Sequence, residues 1–214
     1  MNGLGVLLGG SWASGINLYL TVAALGLADR AGLIELPGDL GVLSHPLVIT
    51  IAVILFVIEF VADKIPYVNS AWDSIHTVIR PAGAALMVFM GTSGSNEAVQ
   101  LSLALLGGTV AMDSHLTKAT ARVAINTFPE PITNSIASIS EDALVVVALW
   151  LAMKHPVIAT LLVISFIVFS IWFLKVMFRF LKKIFSFLSK RTSAERSEDP
   201  GKSLPGGEAG KKTP

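Results

Sequence analysis

The sequence contains no cysteine among its 214 residues. This absence excludes disulfide bonds, thiolate nucleophiles, and zinc or iron–sulfur sites built on cysteine. Motifs of soluble enzymes are also missing, because the chain has no Walker loop, HExxH helix, GxSxG elbow or dinucleotide fingerprint. We therefore predict no enzymatic activity, no cofactor, no metal site and no nucleic-acid partner.

Charged residues are scarce. Asp, Glu, Lys and Arg make up 14% of the chain, against about 25% of a typical soluble domain. Apolar residues make up 53%, and the mean hydropathy is +0.69. A soluble domain of this length could not bury so much apolar surface, so lipid must cover the rest. The composition predicts an integral membrane protein whose main partner is the lipid bilayer.

The few charges are unevenly distributed. Residues 182–214 hold eight Lys/Arg against four Asp/Glu, a net charge of +4, while residues 1–181 hold eight against eleven, a net charge of −3. Basic residues next to a membrane segment are retained on the cytoplasmic side. We therefore predict a cytoplasmic C-terminus. The first fifteen residues lack the basic start of a signal peptide and are interpreted as the first membrane helix.

Apolar stretches follow one another along residues 1–181 and predict an all-α, polytopic transmembrane bundle. They cover residues 4–27, 46–62, 79–90, 99–112, 143–153 and 157–174. A helix that crosses the hydrocarbon needs about 20 apolar residues, and the third and fifth stretches have little more than half of that. Short segments of this kind predict broken or re-entrant helices beside an interior site.

Two pairs of segments resemble each other in the same order along the chain. Leu7–Ala13 matches Leu105–Ala111, and His45–Thr50 matches His155–Thr160. The matches predict two related repeats, about 1–95 and about 98–181. An odd number of crossings between corresponding helices would make the repeats inverted, and the sequence leaves this parity open.

Each first match carries a pair of glycines, Gly9 and Gly10 in one repeat and Gly107 and Gly108 in the other. Small residues allow helices to approach closely, which is one interpretation. The other is a helix break that exposes backbone N–H groups to an anion.

The C-terminal region, residues 182–214, reads as a basic juxtamembrane segment and a tail. Apolar residues at helical spacing continue among basic ones, and we expect this amphipathic stretch to lie on anionic lipid at the cytoplasmic leaflet. They are Phe178, Leu181, Ile184, Phe185 and Leu188. After Thr192 the chain has no apolar periodicity and abundant Gly, Pro, Ser and charge, so we predict disorder there.

Ionisable residues inside membrane segments cost about 2.5 to 3.5 kcal/mol each at a helix centre, so they normally face protein or water. Two groups stand near the ends of apolar stretches, with Arg80 between them in the chain. The candidates for a solute or ion pathway are Glu59, Asp63, Lys64, Arg80, Asp113, His115, Lys118 and Arg122. By helical spacing, His115, Lys118 and Arg122 share one face and Asp113 points to another. The alternative places all of them at the water interface.

Three blocks carry a family resemblance: LLGGSWASGINLYLTVAALGLADR, the block from His45 to Leu86, and GGTVAMDSHLTKATAR. Together they resemble the bacterial membrane family known as domain of unknown function 4126, over about residues 1–180. The most distinctive part is Glu59 to Ala85, with Asp63-Lys64-Ile65-Pro66 close to Arg80-Pro81. The resemblance implies a multi-pass bacterial membrane protein and implies no activity, substrate or site. We expect the protein in the bacterial cytoplasmic (inner) membrane.

The leading hypothesis is a small transporter or channel-like protein for a small polar or anionic solute, with a cavity lined by Asp63, Asp113, Lys118 and Arg122. One alternative is a translocase for phospholipid or polyprenyl phosphate, in which the basic residues hold the phosphate. Another is a non-transporting scaffold or assembly factor that acts through its tail. A membrane enzyme would need acid–base work by the carboxylates, but no bond to be broken is indicated. The sequence also allows a homo-oligomer.

Overall fold

The computed structural model describes residues 2–127 and 131–198, which form α-helices and one short 3-10 helix with no strand in these ranges. The 3-10 helix, Gly38–Ser44, lies between α2 and α3. The α-helices are α1 (Asn2–Ile16), α2 (Leu18–Arg30), α3 (Pro46–Ala62), α4 (Val68–Gly91), α5 (Glu97–Ile125), α6 (Pro131–Lys154) and α7 (Pro156–Glu198).

Among the described residues, three segments are long and apolar enough to cross a membrane, namely Val68–Gly91, Ile132–Lys154 and Pro156–Lys183. The 3-10 helix and α3 meet at 70° and add a fourth if the pair forms one span. Their outer faces carry exposed apolar side chains such as Val78 and Leu161. Together the apolar helices indicate a membrane protein, and the all-helical prediction is confirmed for the described residues.

The two shortest apolar stretches differ from the prediction. Residues 79–90 and 143–153 are the second halves of α4 and α6, which are each continuous helices of 24 residues. The expectation of broken or re-entrant helices at these places is therefore wrong. It failed because polar residues in the first half of each helix face the interior of the bundle, where they do not shorten the span.

The first apolar stretch, 4–27, is instead divided in two at Asn17. This residue has an extended backbone (φ −149°, ψ 98°), and its side-chain oxygen accepts a hydrogen bond from the Leu20 N–H, capping α2. Gly3, at the start of α1, packs on Pro37. Asp29, at the end of α2, accepts from the N–H of Leu36. The outer ends of α1 and α2 therefore lie close together, and the helices join at Asn17.

Small residues let α1 approach its neighbours. Gly15 faces Ser114 and Ala111 of α5 so closely that a side chain at Gly15 would overlap both, and Ser114 Oγ donates to the Trp12 carbonyl at 2.8 Å. A Cβ at Gly9 would lie 2.6 Å from the Cβ of Ala152 in α6. Close approach of this kind is how helices associate within lipid.

Both predicted glycine pairs lie inside continuous helices. A Cβ at Gly107 would lie 2.9 Å from Ser11 Oγ and would overlap Val88, one at Gly108 would lie 3.1 Å from the Pro81 carbonyl, and Gly10 has only an ordinary contact with Leu25. The packing interpretation agrees with these contacts. The apolar core beside them includes Leu7, Trp12, Met87, Val88, Val110 and Leu149.

The matched sequence segments lie in comparable positions. The first pair of matched segments lies inside α1 and α5, and the second pair lies at the starts of α3 and α7. At the start of α3, the His45 side chain accepts a hydrogen bond from the Leu47 N–H and caps the helix. A duplication of the chain stays a prediction.

A second compact unit begins at Phe178, and its described residues, 178–198, are helical. The structure continues α7 as far as Glu198, through the good helix formers Ala194, Glu195 and Arg196. Disorder of the tail stays a prediction. Phe178 is exposed, and the amphipathic stretch on the membrane surface stays a prediction. The side chains of Ile184, Phe185 and Leu188, and the whole of residues 199–214, lie outside the described part of the chain.

Candidate functional site

A cluster of ion pairs lies inside the bundle and joins α3, α4, α5 and α6. We call it the charged cluster. Six of its members are at most 5% exposed, and the seventh, Glu141, has a side chain that is 17% exposed. The members are Glu59 and Asp63 at the end of α3, Asp73 and Arg80 in α4, Lys118 and Arg122 in α5, and Glu141 in α6.

Helical spacing explains how α4 contributes to the charged cluster. Asn69, Asp73, His76 and Arg80 follow one another at intervals of four, three and four residues, so they form one stripe along the helix. All four are buried. Arg80 is the thirteenth residue of α4 and lies about 18 Å from its start at 1.5 Å per residue. The stripe therefore extends from the end of the helix to its middle.

The same spacing operates in α5 and α6. In α5, a buried polar stripe starts near the middle of the helix and reaches its C-terminal cap. In α6, the polar stripe occupies the first half, and the same face continues with apolar residues. The two stripes consist of His115, Lys118, Arg122 and Asn126 in α5, and Asn134, Ser138 and Glu141 in α6.

Arg80 has the deepest position. Its Nη2 donates to Glu59 Oε1 at 2.7 Å and lies 3.3 Å from Asp73 Oδ1. Its Nη1 donates to the Gly15 carbonyl at 3.2 Å and lies 2.9 Å from His115 Nδ1. The guanidinium therefore joins α3, α4 and α5 to the last turn of α1.

The contact with Arg80 fixes the state of His115. A guanidinium only donates hydrogen bonds, so His115 Nδ1 must accept and carries no proton. The proton of the neutral ring is then on Nε2, which lies 3.1 Å from Thr77 Oγ1. Thr77 in turn donates to the Asp73 carbonyl at 3.0 Å. His115 is therefore a neutral spacer between two polar groups of α4.

Lys118 occupies the centre of the charged cluster. Its Nζ donates to Asp63 Oδ2 at 2.7 Å and to the Ile16 carbonyl at 3.2 Å. It also lies within 4 Å of one oxygen of each of the other three carboxylates. One ammonium group thus serves four acids, only one of which receives its hydrogen bond.

Arg122 connects α5 to α6. Its Nε and Nη2 donate to the two oxygens of Glu141 at 3.0 and 2.6 Å, a bidentate pair. Its Nη1 donates to the backbone carbonyls of Asp63 and Asn134, both at 3.1 Å. The guanidinium therefore closes the space between the ends of α3, α5 and α6.

A ring of three asparagines lies next to Arg122. Asn69 of α4 donates to Asn134 of α6 at 2.8 Å, Asn134 donates to Asn126 at the end of α5 at 3.0 Å, and Asn126 donates to Asn69 at 2.7 Å. Within this ring each side-chain amide donates one hydrogen bond and accepts one, and all three residues are buried. We call this feature the asparagine ring. It lies at one end of the polar column, the name we give to the charged cluster together with the buried polar stripes of α4, α5 and α6.

The other end of the column is the break between α1 and α2. The carbonyls of Gly15 and Ile16 accept from Arg80 and Lys118, and the side-chain amide of Asn17 donates to Asp142 Oδ1 at 3.0 Å. These carbonyls belong to the C-terminus of α1, where a helix carries partial negative charge. Beyond the break, the buried side chains that the structure describes are uncharged.

The charged cluster is unbalanced. It contains four carboxylates and three cations, a formal net charge of −1. Glu59 Oε2, Asp63 Oδ1 and both carboxylate oxygens of Asp73 are buried and accept no hydrogen bond. One donor, Arg80 Nε, also lacks an acceptor. Within the described residues, no group of three or more His, Asp or Glu side chains is placed to hold a metal ion.

Most of the candidates chosen from the sequence meet in this cluster. Glu59, Asp63, Arg80, Lys118 and Arg122 are members, and His115 contacts it through Arg80. Their part in a pathway stays a prediction.

Two candidates lie elsewhere. Lys64 is not in an ion pair of the cluster: it donates to the Phe60 carbonyl at 3.0 Å and to Ser138 Oγ of the α6 stripe at 3.4 Å, and its ammonium lies over the Phe60 ring. Asp113 lies between α5 and α7, where Ser170 Oγ is 2.7 and 2.8 Å from its two oxygens. The structure therefore does not bring Asp113 to Asp63 and Lys118, because it projects from a different face of α5, as the spacing predicted.

Sequence reasoning missed Asp73, Glu141 and the asparagine ring. Asp73 lies seven residues before Arg80 and four after Asn69, so helical spacing could have assigned it to the same stripe. The asparagines had no comparable signal, because uncharged amides are also common in turns and caps.

Comparison with known proteins is limited to the family. No curated protein and no solved structure matches the chain. The family model for a domain of unknown function, DUF4126, matches residues 4–176, which include every member of the charged cluster and of the asparagine ring. The chain therefore belongs to the DUF4126 family.

Proposed function

We propose that this chain is a small transporter or channel-like protein that carries a small polar solute along the polar column between the asparagine ring and the α1–α2 break. The charged cluster is the observation that carries this proposal. A charge at the centre of a membrane helix costs about 2.5 to 3.5 kcal/mol, and seven charged side chains converge here. Ionisable residues that face a bundle interior typically mark solute and ion pathways.

The break at Asn17 supports the same proposal. Helices α1 and α2 contain 15 and 13 residues, so they are about 22 and 20 Å long, less than the roughly 30 Å of hydrocarbon. Their outer ends lie together, which favours a re-entrant hairpin with its tip at Asn17. Transporters place the ends of interrupted helices at the solute site, and this tip contacts Arg80, Lys118 and Asp142.

The column is closed at both ends in this conformation. The asparagine ring seals one end, while Trp12, Val88 and Ala111 fill the bundle beyond Gly15. A transport cycle would open these two seals in turn, by moving the α1–α2 hairpin at one end and separating α4, α5 and α6 at the other.

The alternatives have less support from the contacts. A translocase for a lipid phosphate needs cations that are free to bind it, whereas Arg80, Lys118 and Arg122 each pair with at least one carboxylate. A scaffold would act through residues 182–214, which follow the unit that contains the cluster, so the contacts of the cluster do not support it.

We also propose the bacterial cytoplasmic membrane as the location, with the C-terminus in the cytoplasm and anionic lipid bound by its basic residues. Since α7 leads to that terminus and α6 precedes it by a one-residue turn at His155, the start of α6 and the asparagine ring would face the cytoplasm. A homo-oligomer stays a prediction.

Aqueous access to the column tests this function. The native chain has no cysteine, so Ser138→Cys places a single, nearly isosteric thiol on the buried polar stripe of α6 without removing a charge. Ile139→Cys is the matched control, because Ile139 is the next residue in α6 and its side chain is 54% exposed on the apolar surface. Each variant is treated with a charged, membrane-impermeant thiol reagent in right-side-out and in inverted vesicles.

We expect Ser138→Cys to react from the cytoplasmic side and Ile139→Cys to react from neither side, since lipid excludes the reagent. If both thiols stay unreacted in the folded protein and react after denaturation, no water-filled path reaches the stripe. That result would remove the support for transport.

A further inference from the structure

We propose that the charged cluster binds a small cation that donates hydrogen bonds, either an ammonium-type ion or hydronium, and that it does not bind an anion. This inference rests on the proposed transport function and assigns its solute class. The central juxtaposition is that of Glu59, Asp63 and Asp73 with the C-terminal carbonyls of α1.

The cations of the charged cluster already have hydrogen-bond partners within the protein. Arg122 donates to both oxygens of Glu141 and to two backbone carbonyls. Lys118 donates to Asp63 and to the Ile16 carbonyl. A phosphate or carboxylate solute would have to displace these internal partners before it could bind. An anion would also add to a cluster whose formal charge is already −1.

The buried atoms without a hydrogen-bond partner are mainly acceptors, which favours a ligand that donates hydrogen bonds. Four carboxylate oxygens, on Glu59, Asp63 and Asp73, are buried and accept nothing, against one unpaired donor on Arg80. Asp73 is the clearest case, since it is 2% exposed and neither of its oxygens accepts a hydrogen bond. Its Oδ1 has ion-pair contacts only, at 3.3 Å from Arg80 Nη2 and 3.9 Å from Lys118 Nζ. Buried polar atoms without partners are costly, and a ligand that donates hydrogen bonds would remove this cost.

The electrostatic potential at the C-terminus of α1 also favours a cation. The C-terminus of a helix carries about half a negative charge, which favours cations. The end of α1 points its Gly15 and Ile16 carbonyls at the cluster. The N-terminus of α2, which would attract an anion, is capped by the side chain of Asn17. The broken helix therefore adds negative and not positive potential to the site.

The proposed ligand must donate hydrogen bonds, and this distinguishes it from a metal ion. Three carboxylates within reach of one another could suggest metal binding, but the described residues contain no group with the placement of metal ligands. Lys118 and Arg80 already occupy the positions between the carboxylates at 2.7 Å. Ammonium and hydronium can bridge carboxylate oxygens that point in different directions, because they have several N–H or O–H groups.

The experiment uses the full chain reconstituted into liposomes, with an inside-negative potential set by potassium and valinomycin. Four probes are compared: radiolabelled guanidinium, which is always charged; radiolabelled methylammonium; sodium-22; and radiolabelled phosphate. A pyranine dye inside the vesicles reports hydronium entry when no organic cation is present. Asp73→Asn removes one negative charge of the cluster. Asp39→Asn, which removes an exposed negative charge, is the control, and both variants are measured with the dye and the four probes.

We expect entry of guanidinium or methylammonium, or acidification without them, and a drop of at least about tenfold with Asp73→Asn, equal to 1.4 kcal/mol of binding. Asp39→Asn should behave like the native chain. Organic-cation uptake identifies an ammonium-type solute, and acidification alone identifies hydronium.

Entry of phosphate or of sodium alone, or equal rates for Asp73→Asn and native protein, would overturn the inference. No flux of any probe would overturn it as well. Labelling of Ser138→Cys then separates the two failures, because a reactive thiol leaves the proposed function standing with a different solute, while an unreactive one removes both.

Discussion

The bidentate pair of Arg122 and Glu141 gives the sharpest test of the energetics. Removing one partner of a buried ion pair costs about 3 to 5 kcal/mol, because the other charge stays buried without compensation. For Glu141→Leu we expect the lower end, about 3 kcal/mol, since Asp63 Oδ2 still lies 3.6 Å from Arg122 Nη2. The free energy of unfolding is measured by adding sodium dodecyl sulfate to protein in mild-detergent micelles and following far-UV circular dichroism.

The control and the double variant make this test specific. Glu35→Leu removes an exposed carboxylate outside the bundle and should change stability by no more than about 0.5 kcal/mol. Arg122→Met combined with Glu141→Leu should cost about 2 kcal/mol less than the sum of the single changes. If Glu141→Leu costs less than about 1 kcal/mol, the value of an exposed pair, the reasoning about a buried network is refuted.

Three further predictions concern other contacts of the bundle. Gly15→Ala should destabilise the protein by about 1 to 3 kcal/mol, because its Cβ would overlap α5. Gly41→Ala is the control and should not destabilise it, because the space around Gly41 is open. Equal thermal stability of the two variants would contradict the packing. Asn134→Ala should cost about 1 to 3 kcal/mol by leaving amides of the asparagine ring unpaired, and a native-like unfolding curve would contradict the ring. Ser170→Ala should lower stability by about 1.5 to 3 kcal/mol through Asp113, and this loss should vanish in an Asp113→Asn background, or else their contact is not the cause.

Helical periodicity and the cost of buried charge were sufficient to select most of the charged cluster. His115, Lys118 and Arg122 lie on one face of a helix, and no lipid-facing position could hold them. The same rule placed Asp113 on another face of α5, although the leading hypothesis had grouped it with Lys118 and Arg122 in one cavity. Sequence alone could not pair Glu59 with Arg80, because the pairing depends on how α3 and α4 cross.

The broken helix was beyond sequence reasoning for a physical reason. The stretch 4–27 is apolar enough to cross the membrane, and one asparagine within it does not predict a break. Asn17 is stabilised by Asp142, which is 125 residues further along the chain. Only the tertiary fold provides that partner, so local propensity does not predict the break.

The opposite error occurred in α4 and α6. Their apolar halves looked too short to span, because the polar halves were interpreted as lying outside the membrane. Asp73 and Glu141 face protein instead of lipid, so hydropathy averaged over all faces underestimates the length of the span. A helix that lines a polar interior is expected to show this discrepancy.

Reaction of Ser14→Cys with water-soluble thiol reagents is the most direct test of a continuous pathway. Ser14 lies in the last turn of α1, is fully buried, and its hydroxyl has no hydrogen-bond partner. Leu86→Cys, on the apolar surface at 58% exposure, serves as the lipid-facing control. We predict that Ser14→Cys reacts in membranes, at a rate limited by opening of the column, and that Leu86→Cys does not. If Ser138→Cys reacts while Ser14→Cys never does, the column is a closed vestibule and the account of a transport pathway is contradicted.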